Sequence, residues 1–192
     1  MIKRKKRKNP ELQEKAYGIL NLLNPQSWNY LAEGDSGEIY KFIIGQNTRI
    51  PFVKEDVILK PGSYVLKLLK DSDKLSTKGI NFLKKLSKKK LIPEIYAIGP
   101  YFIIMKYVFG TTLLDLIGDI HPGTLERIFH NLYNIVEEYH ELGYAHGDLH
   151  LKNILIDHDN NVHLIDPKIL SKNFEKDREL LSHYYVEYIG NL

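Results

Sequence analysis

The stretch YAHGDLHLKNILID, residues 144–157, places Asp148 five residues ahead of Asn153 and then runs into an apolar, strand-like segment. A second apolar run, VHLID, ends in Asp166 after the turn-forming HDNN. Two short strands joined by such a turn form a hairpin, and a hairpin returns its ends to one place. Asp166 is therefore expected beside the loop that carries Asp148 and Asn153. Asn153 and Asp166 are hard oxygen ligands of the kind magnesium takes, an ion that keeps much of its water and prefers one or two carboxylates plus substrate phosphates. Asp148 is left to orient a hydroxyl and accept its proton. Lys152, four residues after Asp148, is a candidate contact for a transferred phosphate.

Such a loop needs a scaffold, and 192 residues with 43% hydrophobic side chains suffice for one core or two small lobes. The absence of cysteine excludes disulfides, zinc–thiolate sites and thiol catalysis. KRKKRK, Lys3–Lys8, carries six positive charges, so the net charge of +3 becomes −3 without it. The basicity belongs to a tail, residues 1–9, expected to be disordered and solvated, with nucleic acid, an anionic membrane surface or an import receptor as alternative partners. No run approaches transmembrane length and none suits a signal peptide, so a soluble, cytoplasmic protein is expected, nuclear if the host is eukaryotic.

Asn9-Pro10 suits the start of an amphipathic helix over residues 10–25, with Leu12, Ala16, Ile19, Leu20 and Leu23 at helical spacing before Asn24-Pro25. WNYLAEGDSGEIYKFII reads as a hairpin around Gly34 and Gly37, followed by a loop with Pro51 and Pro61-Gly62, then the strand SYVLKLL. A lysine-studded helix between Leu75 and Leu91 and two further strands, EIYAIG and YFIIMKYV, complete a first lobe over 26–108. In 109–192, Leu125, Ile128, Phe129, Leu132, Ile135, Val136, Tyr139 and Leu142 form one helical stripe stopped by Gly143. A last helix spans Asn173 to Tyr188, with Phe174, Leu181, Tyr184, Tyr185 and Tyr188 largely on one side. Strands first and helices later predict an α+β fold of two lobes.

His146, Asp148 and Asn153 fit the pattern His-x-Asp-x-x-x-x-Asn, and LIDP supplies a later aspartate, Asp166. In these residues the chain resembles the protein-kinase-like superfamily. HGDLH, with Gly147 where arginine is usual, is most similar to its small atypical branch: aminoglycoside and choline phosphotransferases, small prokaryotic and viral kinases, the kinase-like subunit of the tRNA-threonylcarbamoylation complex, and RIO kinases. The resemblance covers residues 28 to about 170 and implies a five-stranded antiparallel N-lobe sheet with one helix and a truncated, mainly helical C-lobe. It implies ATP and magnesium or manganese as cofactors. The turn with Gly34, Ser36 and Gly37 would approach the phosphates, although Ala32 stands at the family's first glycine. Lys67 alternates with Val65 and Leu69, so its ammonium leaves an apolar strand and needs an anion; the resemblance supplies the α and β phosphates. Lys60 is its competitor, and a solvated lysine on an edge strand is the bland alternative. Met105, Lys106 and Val108 would meet adenine, and His146 would be a scaffold packed beneath the metal aspartate.

Three departures qualify the expected function. No glutamate lies between Glu55 and Glu94, and Gly79 stands where the family's helix glutamate would align; Asp71 and Asp73 are the candidate substitutes. Asp166 is followed by Pro167, which fixes its own φ and lacks an N–H. Only 26 residues follow Asp166, too few for a long activation segment. Asp177 reads as an exposed aspartate in a helix's first turn, with an anchor for the catalytic loop as the alternative. The expectation is an ATP-dependent phosphotransferase, a small Ser/Thr protein kinase acting on a protein partner. The rivals are a nucleotide-binding pseudokinase or ATPase subunit working through a partner, and a small-molecule phosphotransferase of aminoglycoside or choline type.

Overall fold

The computed structural model describes residues 9–190. The basic run Lys3–Lys8 lies outside them. The chain divides into two compact units, one made of residues 1–80 and 95–107, the other of 81–94 and 108–192.

The first unit begins with α1, Pro10–Leu23, started by Asn9, whose side chain accepts from the Glu11 N–H, and ended by Asn24 in the left-handed region at φ 46°. Both ends follow from local chemistry: an asparagine satisfies an orphan donor at the start and tolerates αL at the close. Then come β1 (Ser27–Glu33), β2 (Gly37–Ile44), a two-stranded ribbon of β3 (Thr48–Arg49) and β4 (Ile58–Leu59), β5 (Gly62–Leu69), α2 (Thr77–Lys88), β6 (Ile95–Ile98) and β7 (Phe102–Lys106). β1, β2, β5, β7 and β6 lie in that order in one antiparallel five-stranded sheet, as expected. The β3–β4 ribbon falls where the sequence predicts a loop, because two-residue strands have no periodicity to detect.

Alternation along β2 and β5 points Tyr40, Phe42, Ile44, Tyr64, Leu66 and Leu68 to one face, where they form a core with Leu12, Ala16, Leu20 and Leu23 of α1. The opposite face carries Ile39, Lys67 and Ile103 in cross-strand register. Only α2's first turn belongs to this unit.

The second unit holds the rest of α2, then β8 (Gly110–Thr112), α3 (Leu113–Leu116), α4 (Pro122–Glu141), β9 (Ile154–Asp157), β10 (Val162–Leu164) and α5 (Phe174–Tyr188). The expected β9–β10 hairpin is present, and β9 also pairs with β8, which makes a three-stranded sheet. Gly110 belongs there because a Cβ would lie 2.6 Å from the Ile156 carbonyl oxygen. The α4 stripe is buried at Leu125, Ile128, Phe129, Leu132, Val136 and Tyr139, with Ile135 and Leu142 half-buried. On α5, Leu181 and Tyr184 are buried but Tyr185 is 49% exposed, so the expected single aromatic side is narrower than predicted. Among the described residues no helix is long and apolar enough to cross a membrane.

Candidate active site

The loop before β9 is fixed from below by backbone lacing. Ala145 N–H donates to the Ser171 carbonyl at 2.9 Å, and Lys168 N–H donates to the His146 carbonyl at 2.8 Å. Gly147 sits at φ +74°, and a Cβ there would fall 2.3 Å from Ser171 Oγ. Both the left-handed backbone and the close approach favour glycine where the wider superfamily carries arginine.

Asp177 of α5 holds this loop. It is fully buried, and its two oxygens accept from the N–H groups of His146 at 2.7 Å and Gly147 at 2.9 Å. His140 Nε2 lies 3.4 Å from the same carboxylate. The reading of Asp177 as an exposed first-turn charge is therefore corrected. A buried carboxylate is tolerated because consecutive backbone donors replace its water.

His146 is likewise fully buried, and its Nε2 meets the Ile165 carbonyl at 3.0 Å, one residue before Asp166. Burial pushes its pKa below the ordinary histidine value, against the pull of Asp177. A neutral ring with its proton on Nε2 satisfies that carbonyl. The ring is thus a brace under the segment leading to Asp166.

Asn153 closes the constellation. Its Nδ2 donates to the Asp148 carbonyl at 2.9 Å and to Asp148 Oδ2 at 3.0 Å, which leaves its side-chain oxygen for another partner. Its own carbonyl accepts from the Ile165 N–H at 2.9 Å, one step beyond the Leu164–Ile154 pair of the hairpin. The hairpin therefore returns the backbone next to Asp166 to Asn153, as expected. At the hairpin's other end, burial opposes charge on Asp157, but hydrogen bonds from His163, Asn161 and Asp159 outweigh it and hold this carboxyl well below its ordinary range. That end is closed by the same residues that form the turn.

Asp148 is exposed, with His150 Nε2 3.6 Å from its Oδ2. Lys152 is exposed in a short 3-10 turn, Leu151–Asn153. Asp166 is half-buried and takes φ +55°, in the left-handed region unusual for a residue other than glycine.

In the first unit, Lys67 lies on β5, the middle strand of five, and is 9% exposed, so the edge-strand alternative fails. Lys60 is exposed. The glycine turn is tightened by Gly34 N–H donating to the Gly37 carbonyl at 2.8 Å, and Lys70 N–H donates to the Ser36 carbonyl at 2.9 Å. A Cβ on Gly37 would lie 1.7 Å from the Leu68 carbonyl oxygen, so no other residue fits. Met105 and Lys106 end β7, and Val108 begins the later segment, 108–192, of the second unit. Asp71, 69% exposed at its side chain, pairs with Lys15 at 3.3 Å, while Asp73 accepts from Ser72 Oγ. Gly79 is buried and its N–H meets Ser76 Oγ at 3.1 Å.

The sequence reading passed over Glu38. It is fully buried, one oxygen accepting from the Asn9 N–H at 2.9 Å and the other from the Tyr40 hydroxyl at 2.5 Å. Burial, aided by this bond, raises the Tyr40 pKa far above the ordinary phenol value. Alternation offered the signal: Glu38 shares a face with Tyr40, Phe42 and Ile44, where a solvated acid has no place.

The family model described as the RIO domain matches residues 63–184, from β5 into α5. The chain belongs to the RIO domain family. The RIO match takes in Lys67, His146, Asp148, Asn153, Asp166 and Asp177, and leaves the glycine turn outside it. Among curated relatives, the probable serine/threonine-protein kinase KIN1 homolog of Encephalitozoon cuniculi is 34% identical over 93 residues, 47% of this chain and 16% of that protein. Serine/threonine-protein kinase PrkC of Bacillus subtilis is 34% identical over 82 residues, 39% of this chain and 13% of that protein. CBL-interacting protein kinase 11 of Oryza sativa subsp. japonica is 24% identical over 142 residues, 71% of this chain and 27% of that protein. The RIO-domain chain thus spans at most 27% of the length of these three relatives.

Proposed function

We propose that the chain is an ATP-dependent phosphotransferase directed at serine or threonine hydroxyls of protein acceptors. The observation that carries this reading is the shared lacing of Asp148, Asn153 and the residue before Asp166 through Asn153's side chain and carbonyl. Asp148 orients the acceptor hydroxyl and takes its proton as the oxygen bonds to the γ-phosphorus and the bond to the β-bridging oxygen breaks, releasing ADP. The donor set fits magnesium or manganese, because Asn153 keeps a free side-chain oxygen and Asp166 is a carboxylate. When bound, the metal would neutralise phosphate oxygens. Lys152 is assigned to the transferred phosphate. Lys67 and the Gly34–Ser36–Gly37 turn are assigned to the phosphates of ATP, and Met105, Lys106 and Val108 to adenine.

Transfer of labelled γ-phosphate to a mixed-sequence peptide library tests the reading. Asp148→Asn and Asp166→Asn are each expected to lower it by about a thousandfold or more while leaving the melting temperature near wild type. Unchanged transfer in either variant removes that residue from its role.

One observation favours a second reading. From Lys74 to Lys90, all of α2 included, there is no aspartate or glutamate, and Asp71 and Asp73 are engaged elsewhere. A nucleotide-binding protein that acts by docking a partner needs no helix glutamate. Stabilisation against heat by ATP, with no phosphate transferred to any acceptor, would favour it.

A further inference from the structure

Residues 74–90 contain seven lysines and no acidic residue. Removing these seven and the six of the tail from the net +3 leaves −10 for the rest of the chain, so the positive charge is segregated. Lys84, Lys85, Lys88, Lys89 and Lys90 are all exposed, opposite the buried Phe82, Leu83 and Leu86. A solvated helix face ordinarily mixes signs, since a glutamate four residues before a lysine stabilises both. The helix dipole favours cations in the last turn, which accounts for Lys85 and Lys88. It does not account for Lys89 and Lys90 beyond the helix.

Nor does it account for a lysine brought from elsewhere. Lys172, between β10 and α5, sets its ammonium 4.2 Å from the centre of the Tyr144 ring, and Lys85 sets its own 5.6 Å from the same centre. Lys172 also donates to the Gly143 carbonyl. Two like charges from distant segments share one ring whose quadrupole offsets only part of their repulsion. An anion would offset the remainder.

The geometry points to the lysine surface of Lys85, Lys88, Lys89, Lys90 and Lys172 as a docking site for an acidic segment of the acceptor protein, one with Asp or Glu residues flanking the hydroxyl. Tyr144 opens the loop that carries Asp148, and four residues span at most about 14 Å of chain. A segment seated on these lysines therefore has its neighbouring residues near the catalytic loop. Carboxylates suit the surface better than a nucleic acid does. The Tyr144 ring is occupied by two ammonium groups and by a T-shaped contact with Phe82, ring centres 4.8 Å apart, leaving little platform for a base. The lysines also lack the planar fork that reads phosphate in two contacts.

This inference rests on the phosphotransferase reading for its acceptor but not for its binding surface, and the test separates the two. A fluorescent serine peptide flanked by glutamates, and its twin flanked by alanines, are titrated by anisotropy with the full chain at low and high salt, without nucleotide. The acidic peptide is expected to bind at low salt and the twin to bind weakly. Lys88→Ala/Lys89→Ala/Lys90→Ala should weaken the acidic peptide about tenfold, as the loss of three exposed charge pairs implies, and leave the twin unchanged. In phosphate transfer the acidic peptide should show a KM about tenfold below its twin at equal kcat, a preference lost in the triple variant. Equal binding of the two peptides, or a triple variant that still discriminates, overturns the proposal. So does an oligoribonucleotide of equal charge that binds more tightly and displaces the peptide, which reassigns the surface to nucleic acid. Salt-sensitive peptide binding with no phosphate transferred retains the docking surface and removes the phosphotransferase reading.

Discussion

Among the described residues each unit contains one fully buried carboxylate that reaches outside its own element, and the two serve different ends. Glu38 on β2 takes one backbone N–H, that of Asn9 at the start of α1, and one phenol from its own strand. Asp177 on α5 takes two consecutive N–H groups from the loop ahead of Asp148. The first fastens a helix that already buries Leu12, Ala16, Leu20 and Leu23, so apolar contact shares the work. The second fastens an irregular loop whose amides have no strand or helix to satisfy them. Polar anchoring matters most where regular structure is absent, and there the anchored loop is the one that leads into Asp148.

Removal of each anchor in turn tests that contrast most severely. Asp177→Ala strands two buried N–H groups and is expected to cost about 3–5 kcal/mol in denaturant unfolding, with phosphate transfer falling further than the stability loss explains. Gly147→Ala attacks the same loop by sterics. Its added Cβ meets Ser171 Oγ and must hold φ +74°, for about 2–3 kcal/mol together. Pairing it with Ser171→Gly should recover the steric part and leave the backbone part. Glu38→Gln retains an acceptor for the Asn9 N–H, and about 1–2 kcal/mol is expected, with transfer nearly unchanged. A loss at Glu38 as large as that at Asp177 would erase the distinction between the anchors.

Legibility in the sequence followed how local each cause was. The caps of α1, the stripe of α4 and the β9–β10 hairpin are set by neighbours within a few residues, and all three were readable. So was the return of the backbone just ahead of Asp166 to Asn153, because an antiparallel turn dictates it. Asp177 was readable only as one of two alternatives, since its partners lie 30 and 31 residues away and an acid in a helix's first turn looks the same exposed or buried. β8 is three residues long and exists through its pairing with Leu155, Ile156 and Asp157. Glu38 was readable in principle from the apolar alternation of GEIYKFII. The placement of Lys172 beside Lys85 was not, because a charged side chain far along the chain gives no local sign of the ring it will cover.

The smallest expected effect is one of pH, and it again separates the loop from the sheet. His146 is fully buried, and burial lowers its pKa below the ordinary 6.5 despite the opposing charges of Asp177, Asp148 and Asp166. The unfolded chain therefore takes up this proton at a higher pH than the folded one. Its contribution to stability is full above about pH 6.5 and declines as pH falls through the depressed value, by at most about 1.4 kcal/mol per pH unit for one proton. Unfolding free energies between pH 8 and pH 5 should show that decline in the wild type. His146→Gln, which retains an N–H for the Ile165 carbonyl and cannot titrate, should flatten it. Glu38→Gln should leave the His146 component in place. An equal slope in wild type and His146→Gln would mean that folding leaves the ring's affinity for protons unchanged, and its role as a buried neutral brace beneath Ile165 would fall.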